Sequence, residues 1–142
     1  MNTERLFVYG TLRDGYRNPF AQSLQEGAAR CGRAIMPGAL YLGGDASFLY
    51  PKAAYRPETA EWVQGEVYEL HGDGALLLAA LDRYEGVGPG FPEPQEYVRR
   101  RVWVQMEGRS VETWCYVMNE EVDETRRIVG GDFTTVVPLP DT

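Results

Sequence analysis

Apolar residues fall in short runs interrupted by glycine and proline, a pattern typical of a sheet built from short strands. Residues 6–9 are an unbroken apolar run that stops at Gly10, and they predict a buried strand. Residues 33–42, 48–55 and 62–70 are rich in aromatic and β-branched side chains, and each predicts a short strand with flanking turns.

A first helix is predicted after the Gly10 stop. Asn18 followed by Pro19 is typical of a helix start, with Asn as the N-cap and Pro in the first helical position. The pattern predicts a short helix that runs to about Gln25 and ends near Gly27.

Residues 73–84 carry the clearest helical pattern. Asp73 is the predicted N-cap, and Gly86 is the predicted stop. Apolar side chains recur between them at the period of a helix turn, namely Leu76, Leu77, Leu81 and Tyr84.

The second half of the chain predicts a loop followed by a hairpin. Residues 86–95 contain three glycines and three prolines, which predicts a loop. Residues 97–106 and 110–118 predict the two arms of a hairpin around Glu107 and Gly108. The segment after Gly130 predicts an extended tail.

Together these elements predict the α+β class. We expect a small, mostly antiparallel, curved sheet that can close into a β-barrel, with short helices packed outside. The length of 142 residues is typical of a single domain, so we expect one domain over residues 1–142.

Charge and cysteine content limit the classes of partner and cofactor that we expect. The net charge of −7 disfavours nucleic acid and anionic membranes as partners, although a local cradle can still bind a small anion. Cys31 and Cys115 cannot form a disulfide framework, and no cysteine or histidine cluster indicates a metal site. We expect half-buried free thiols, no cofactor and no metal. With no targeting or membrane-spanning segment visible, we expect a cytoplasmic protein.

The loop after the first strand is a candidate anion site. Glycines at 10 and 15 allow consecutive backbone N–H groups to converge, and the following helix start adds favourable partial charge. An ordinary strand-to-helix turn is the alternative, and from composition alone it is the better interpretation.

Glu85 is the candidate proton carrier. A carboxylate in the last turn of a helix faces the unfavourable end of the helix dipole, which raises its pKa, and burial raises it further. Such a residue is a good general acid/base near neutral pH. The alternative is a solvated surface glutamate. Asp82 is interpreted as part of the wet face of the helix.

Two further positions are candidate substrate contacts. Strand alternation puts Arg99 and Arg101 on one face, which can meet a substrate carboxylate or Glu85; exposed positions in an acidic protein are the alternative. Tyr116 belongs to a set of aromatic residues that pack in the core by default and can also wall a pocket.

Several short motifs in a fixed order resemble a known family. They are LFVYGTLR at 6–13, LDRYEG at 81–86, YVR at 97–99, WCY at 114–116 and GGDF at 130–133. Their combination resembles the gamma-glutamylcyclotransferase-like family, notably its gamma-glutamylamine cyclotransferase branch. The chain departs from the family in its long proline-rich loop, residues 86–95, and in Phe133, where tryptophan is usual.

The resemblance implies a compact β-barrel with flanking helices. It implies a substrate cradle formed by Tyr9, Gly10, Thr11 and Leu12, with Glu85 as the acid/base. Arg99 and Tyr116, in the third and fourth motifs, are the further substrate-binding candidates.

The implied reaction converts a γ-glutamyl amide to 5-oxoproline and a free amine. The only expected partner is therefore a small-molecule γ-glutamyl substrate. A non-catalytic γ-glutamyl-binding or regulatory module is one alternative, and an enzyme that activates water to release glutamate is another. The identity of the amine and the oligomeric state stay open at this point.

Overall fold

The computed structural model describes residues 3–10, 19–45, 48–72 and 74–136. Within these ranges no helix combines the length and the apolar character that crossing a membrane requires. The elements in chain order are β1 (Arg5–Val8), α1 (Pro19–Gly27), β2 (Ala28–Asp45), β3 (Phe48–Tyr55), β4 (Trp62–Leu70), α2 (Ala75–Glu85), β5 (Tyr97–Met106) and β6 (Arg109–Met118), followed by 3₁₀ turns at Glu124–Arg126 and Phe133–Thr135.

Five strands close into a barrel in the order β2, β4, β1, β6, β5. The ring closes where Ile35 of β2 pairs with Gln105 of β5. β1 and β6 are parallel and the other neighbours are antiparallel, so the barrel is mixed. β3 lies outside the ring and pairs with the second half of β2. The predicted α+β class and mostly antiparallel barrel are confirmed.

The first strand is buried on both faces, which explains its unbroken apolar run. Phe7 points into the barrel interior and belongs to its core. Leu6 and Val8 point the other way and pack with Leu24 of α1 and Leu81 of α2. β1 therefore separates two apolar layers, one inside the barrel and one beneath the helices.

The first helix and the hairpin are confirmed. α1 begins at Pro19 and ends at Gly27, while its predicted cap, Asn18, lies outside the described residues. β5 and β6 pair along their whole length around the turn at Glu107 and Gly108. Residues 86–95 form the predicted loop.

The second helix differs from the prediction in its start and in its buried face. It begins at Ala75, and Gly74 occupies the cap position without a side-chain cap bond; the predicted cap, Asp73, lies outside the described residues. Leu76 was wrongly placed on the apolar face, because its side chain is 90% exposed while Leu78 is buried. Several leucines in succession satisfy more than one helical face, so spacing alone did not fix the rotation.

The second strand is longer than predicted. The sequence predicts residues 33–42, whereas β2 extends from Ala28 to Asp45. Its first part is polar and glycine-containing, with a shift in register between Arg30 and Gly32. Pairing with β4 makes this part a strand, and that non-local contact has no signature in the local pattern.

The tail and the thiols also differ from expectation. Instead of an extended segment after Gly130, the chain forms a 3₁₀ turn, whose Phe133 is buried in the barrel core. Residues 137–142 lie outside the described part of the chain. Both cysteines are free, but they are not half-buried as expected: Cys31 is exposed and Cys115 is buried.

Candidate active site

A cavity of about 250 Å³ lies between the end of β1, the end of α2 and strand β3. Among the described residues its wall includes the carboxylates of Glu85 and Glu96 and the backbone of Gly10. Five tyrosines also line it, namely Tyr9, Tyr50, Tyr84, Tyr97 and Tyr116. The cavity is thus aromatic and acidic.

Glu85 is the last residue of α2, and its carboxyl has an unusual proton affinity. Burial, and to a smaller extent the negative charge of Glu96, raise the pKa of Glu85 from 4.5 to about 7. The helix stops before Gly86, as predicted; the backbone turns at this glycine, and its N–H donates to the carbonyl of Arg83. A carboxyl with this pKa can both accept and release a proton near neutral pH.

Tyrosine hydroxyls fasten β3 over the cavity. β3 pairs with β2 on one side only, so its other edge needs partners for its backbone groups. Tyr97 Oη donates to the Pro51 carbonyl at 2.7 Å, and Ala53 N–H donates to Tyr9 Oη at 3.4 Å. Tyr9 Oη in turn donates to the Tyr116 carbonyl of β6. These bonds join the edge strand to the barrel.

The hydroxyls of Tyr9, Tyr97 and Tyr116 stay neutral. Burial is the largest cause that raises the pKa values of Tyr9, Tyr97 and Tyr116 above the ordinary tyrosine range. At physiological pH these rings therefore present neutral aromatic surface to the cavity.

Gly10 is required where β1 meets the cavity. A Cβ atom at this position would lie 2.6 Å from Cγ of Pro51. The absence of a side chain lets the backbone approach β3 closely, and it leaves the Gly10 backbone on the cavity wall.

Glu96 lies at the mouth of the cavity, where its side chain is 38% exposed. Its Oε2 atom accepts a short hydrogen bond from Tyr50 Oη and lies 3.6 Å from Lys52 Nζ. Lys52 also forms a closer ion pair with Glu120. Burial, followed by the hydrogen bond and the charge of Glu96, raises the pKa of Tyr50 to about 12.

Asp82 links α2 to the hairpin formed by β5 and β6. Its carboxylate receives two hydrogen bonds from Arg99, at 2.8 and 3.2 Å, and one from Tyr116 Oη at 2.7 Å. The Arg99 guanidinium also stacks on the Trp114 ring, 4.4 Å from its centroid. Asp82 is therefore not simply part of a wet face, because it ties α2 to β5 and β6.

The structure brings together most of the predicted site residues. Tyr9, Gly10, Glu85 and Tyr116 all line the cavity. Thr11 and Leu12 lie outside the described residues. Arg99 is not brought to the cavity wall, because its guanidinium is held by Asp82 and Trp114 on the outer side of the hairpin.

Sequence reasoning missed Glu96, Tyr50 and Tyr97. Glu96 lies at the end of an irregular loop, where no periodicity indicates which way a side chain faces. Tyr50 carried a weak signal, since it precedes Pro51, and a proline within a strand indicates an edge. Tyr97 shares its strand face with Arg99 and Arg101, and the sequence predicts that face as a carboxylate contact through its arginines.

Known proteins share this sequence pattern and fold. The family model described as "Gamma-glutamyl cyclotransferase, AIG2-like" matches residues 6–135. No curated protein matches the chain at a significant level.

Solved structures resemble the chain over most of its length. The crystal structure of YkqA from Bacillus subtilis has a TM-score of 0.65 and 25% identity; the match covers 96% of this chain and 42% of that one. An AIG2-like protein from Mus musculus has a TM-score of 0.62 and 28% identity over 87% of this chain and 82% of the mouse chain. A gamma-glutamyl cyclotransferase with a TM-score of 0.60 and 19% identity, over 84% of this chain and 68% of that one, shares the fold.

Proposed function

Because the chain belongs to the AIG2-like gamma-glutamyl cyclotransferase family, we propose that it cyclises a γ-glutamyl amide to 5-oxoproline and releases the free amine. The observation that carries this proposal is the Glu85 carboxyl, which lies in a tyrosine-lined cavity with its pKa raised to about 7. A site that only binds an anionic ligand gains nothing from a second negative charge in the same cavity.

The substrate supplies its own nucleophile. The α-amine attacks the γ-carbonyl carbon, a C–N bond closes the five-membered ring, and the original amide C–N bond breaks. The protein need not provide a serine or cysteine nucleophile, and the reaction as proposed uses no metal or cofactor. Holding the substrate in the folded, attacking conformation is a large part of catalysis, since orientation can contribute several kcal/mol.

Glu85 carries the proton through the reaction. As a carboxylate it accepts a proton from the α-ammonium, which frees the amine lone pair for attack. As a carboxylic acid it then donates that proton to the departing amine, while the ring nitrogen, which still carries one extra proton after the attack, releases that proton to solvent and becomes the neutral lactam N–H. A pKa near 7 suits both steps, and a positioned acid/base typically contributes a factor of about 10² to 10⁴.

The substrate α-carboxylate is assigned to backbone N–H groups of Gly10, Thr11 and Leu12. The proximity of Gly10 to Pro51 supports a backbone surface at this place. Tyr9 and Tyr116 wall the same region of the cavity.

The free thiols support a reducing compartment, and we propose that the protein acts in the cytoplasm.

Mass spectrometry of the products tests the proposal directly. Purified protein is incubated with a panel of γ-glutamyl amines and dipeptides, alongside Glu85→Gln and a control, Glu58→Gln. Glu58 is exposed and lies outside the cavity wall, so the control makes the same carboxylate-to-amide change where no effect is expected. We expect 5-oxoproline from the unmodified protein and the control, and a loss of at least about 10²-fold in Glu85→Gln.

Other outcomes distinguish the alternatives. Free glutamate in place of 5-oxoproline indicates hydrolysis by activated water. Tight calorimetric binding of a γ-glutamyl compound without any product indicates a binding or regulatory module. Near-normal turnover by Glu85→Gln refutes the assignment of Glu85 as the acid/base.

A further inference from the structure

We propose that Glu96 and Tyr50 form a subsite for a positively charged leaving group, so that the preferred substrates are γ-glutamyl amides of diamines. This inference rests on the proposed function and specifies its substrate class.

The position of Glu96 assigns it to the leaving group. In the proposed reaction the γ-glutamyl part occupies the inner cavity, with its α-carboxylate at Gly10 and its α-amine at Glu85. The remaining part of the substrate then extends toward the mouth. Glu96, with a side chain 38% exposed, lies at that mouth, whereas Tyr9 on the inner wall is only 6% exposed.

The charge of the cavity favours a cation. Among the described residues that line it, the charged side chains are Glu85 and Glu96, and none is basic. A leaving group with a carboxylate meets repulsion from this wall, and one with an ammonium meets attraction. The neutral tyrosine rings around the carboxylates also favour a leaving group with an ammonium, because aromatic faces attract cations.

Nearby cations do not cancel the charge of Glu96. Lys52 lies between Glu96 and Glu120 and pairs more closely with Glu120, so the three groups together carry one net negative charge. Arg126 also influences Tyr50, but its guanidinium donates to the carbonyls of Leu42 and Gly44.

The geometry of Glu96 leaves one oxygen for a ligand. Within the described part of the chain, the contacts of Glu96 with Tyr50 and Lys52 both involve Oε2. Oε1 takes part in neither, so it can accept a hydrogen bond from a ligand ammonium. The Tyr50 hydroxyl fixes the carboxylate orientation, which lowers the entropy lost when the ligand binds.

Three amides of nearly equal length test the subsite. The γ-glutamyl amides of butane-1,4-diamine, butylamine and 4-aminobutanoate end in an ammonium, a methyl and a carboxylate group, respectively. For the unmodified protein we expect kcat/KM for the diamine amide to exceed that for the butyl amide by at least about tenfold, as for a hydrogen bond to a charged group, and the carboxylate amide to be the poorest substrate.

Glu96→Gln reports the role of the carboxylate. We expect it to bring the three kcat/KM values within about threefold of one another. Each ratio compares two substrates in one protein, so a change in the Glu85 pKa cancels. Tyr50→Phe, which keeps the ring and loses the hydroxyl, is expected to reduce the preference in part. Glu58→Gln is the matched control and is expected to keep it.

Calorimetry separates this inference from the proposed function. The same amides are titrated into Glu85→Gln, where turnover is expected to be at least about 10²-fold slower, and into the double variant that also carries Glu96→Gln. Tighter binding of the diamine amide that disappears in the double variant supports the subsite even if no 5-oxoproline ever forms. Equal binding of the three amides to Glu85→Gln, or an unchanged preference after Glu96→Gln, overturns it.

Discussion

Glu85 illustrates how the ionised form of one side chain can be less stable in the folded protein than in the unfolded chain, as its proposed acid/base role requires. Its surroundings favour the neutral carboxylic acid, because burial and the charge of Glu96 both penalise the carboxylate. The same free-energy penalty that raises its pKa must therefore appear in the stability of the protein when Glu85 is ionised.

We expect Glu85→Gln to be more stable than the unmodified protein at alkaline pH. The raised pKa means that the folded protein retains a proton that the unfolded chain has released. The stability of the unmodified protein therefore decreases as the pH rises from 4.5 to about 7, and this loss is complete above that window. Glutamine cannot ionise, so the variant should be more stable by about 3 kcal/mol near pH 8 and nearly equal near pH 4.

Urea unfolding at both pH values measures this difference. Glu58→Gln serves as the reference, because it removes an exposed carboxylate. A stability difference for Glu85→Gln that does not change with pH would contradict the raised pKa.

Individual residues were predictable where a backbone feature accompanied them. Gly10 and Glu85 became candidates because each lies near the end of a predicted element, and the family resemblance then favoured them over an ordinary turn and a surface glutamate; both line the cavity. Glu96 was not predictable, since the direction of its side chain depends on how the preceding loop closes. The Gln95 side chain closes that loop by bonding to the backbone of Gly88 and Phe91, and no periodic pattern encodes such a contact.

At the scale of elements, hydrogen bonds to Asp82 join α2 to the hairpin close to Glu85. Asp82 precedes Glu85 by about one helical turn, and it receives hydrogen bonds from Arg99 and Tyr116 on β5 and β6. This contact fixes the rotation and height of the helix end relative to the hairpin. We therefore expect Asp82 to position Glu85 for its proposed role.

We expect Asp82→Asn to lower kcat by about tenfold or more while leaving KM nearly unchanged, because small displacements of a reacting group reduce rate strongly. The amide keeps a similar size but loses the charge that pairs with Arg99. Steady-state kinetics near pH 8, with thermal unfolding to confirm the fold, measure the effect.

Glu4→Gln is the matched control for this prediction. Glu4 accepts hydrogen bonds from Arg101 and Trp114 on the same outer face but does not lie on α2. Equal losses of kcat in the two variants would show that general loosening of the hairpin, and not the placement of α2, is responsible.

Elements were predictable where local pattern and tertiary contact agree. The hairpin, β3 and β4 have the bounds or nearly the bounds that the sequence predicts. The first part of β2 was not predictable, because its residues become a strand through pairing with β4. Leu78 shows the same limit in α2, where the packing against the barrel selects one of several apolar faces.

At the scale of the whole molecule, the segment after the last strand packs onto the barrel. Gly131 accepts a hydrogen bond from the backbone of Gln64 at 2.7 Å, and a Cβ built on Gly131 would overlap the Trp62 carbonyl oxygen. Phe133 then fills the barrel core. This close approach explains the need for glycine at position 131 of the GGDF motif. The sequence alone identified that motif only by its resemblance to a family.

We expect Gly131→Ala to destabilise the protein by about 2–3 kcal/mol. Gly130→Ala is the internal control, because both glycines have positive φ, +87° at Gly130 and +66° at Gly131, but a Cβ at Gly130 meets nothing within 4 Å. The control should therefore show only the backbone penalty, about 1 kcal/mol. Chemical denaturation gives both values, and equal losses would contradict the tight contact with Trp62.

The sequence predicts that the sheet can close into a barrel, but it does not predict which strands close it. The ring depends on contacts between β2 and β5 and between β1 and β6, whose residues are far apart in the chain. Alternating patterns predict which face of a strand is buried, but they do not specify which strand lies beside it.

The position of β3 outside the ring separates two properties of the molecule. Tyr50 lies on this edge strand, and Glu96 lies at the end of the connection between α2 and β5. Surface connections accept substitutions and insertions more readily than the strands of a closed barrel. The proposed reactivity and the proposed selectivity can therefore diverge largely independently: a laboratory library restricted to Tyr50 and Glu96 can acquire a new amine preference while Glu85 keeps most of its raised pKa, because burial, and not the charge of Glu96, is the larger cause of that shift.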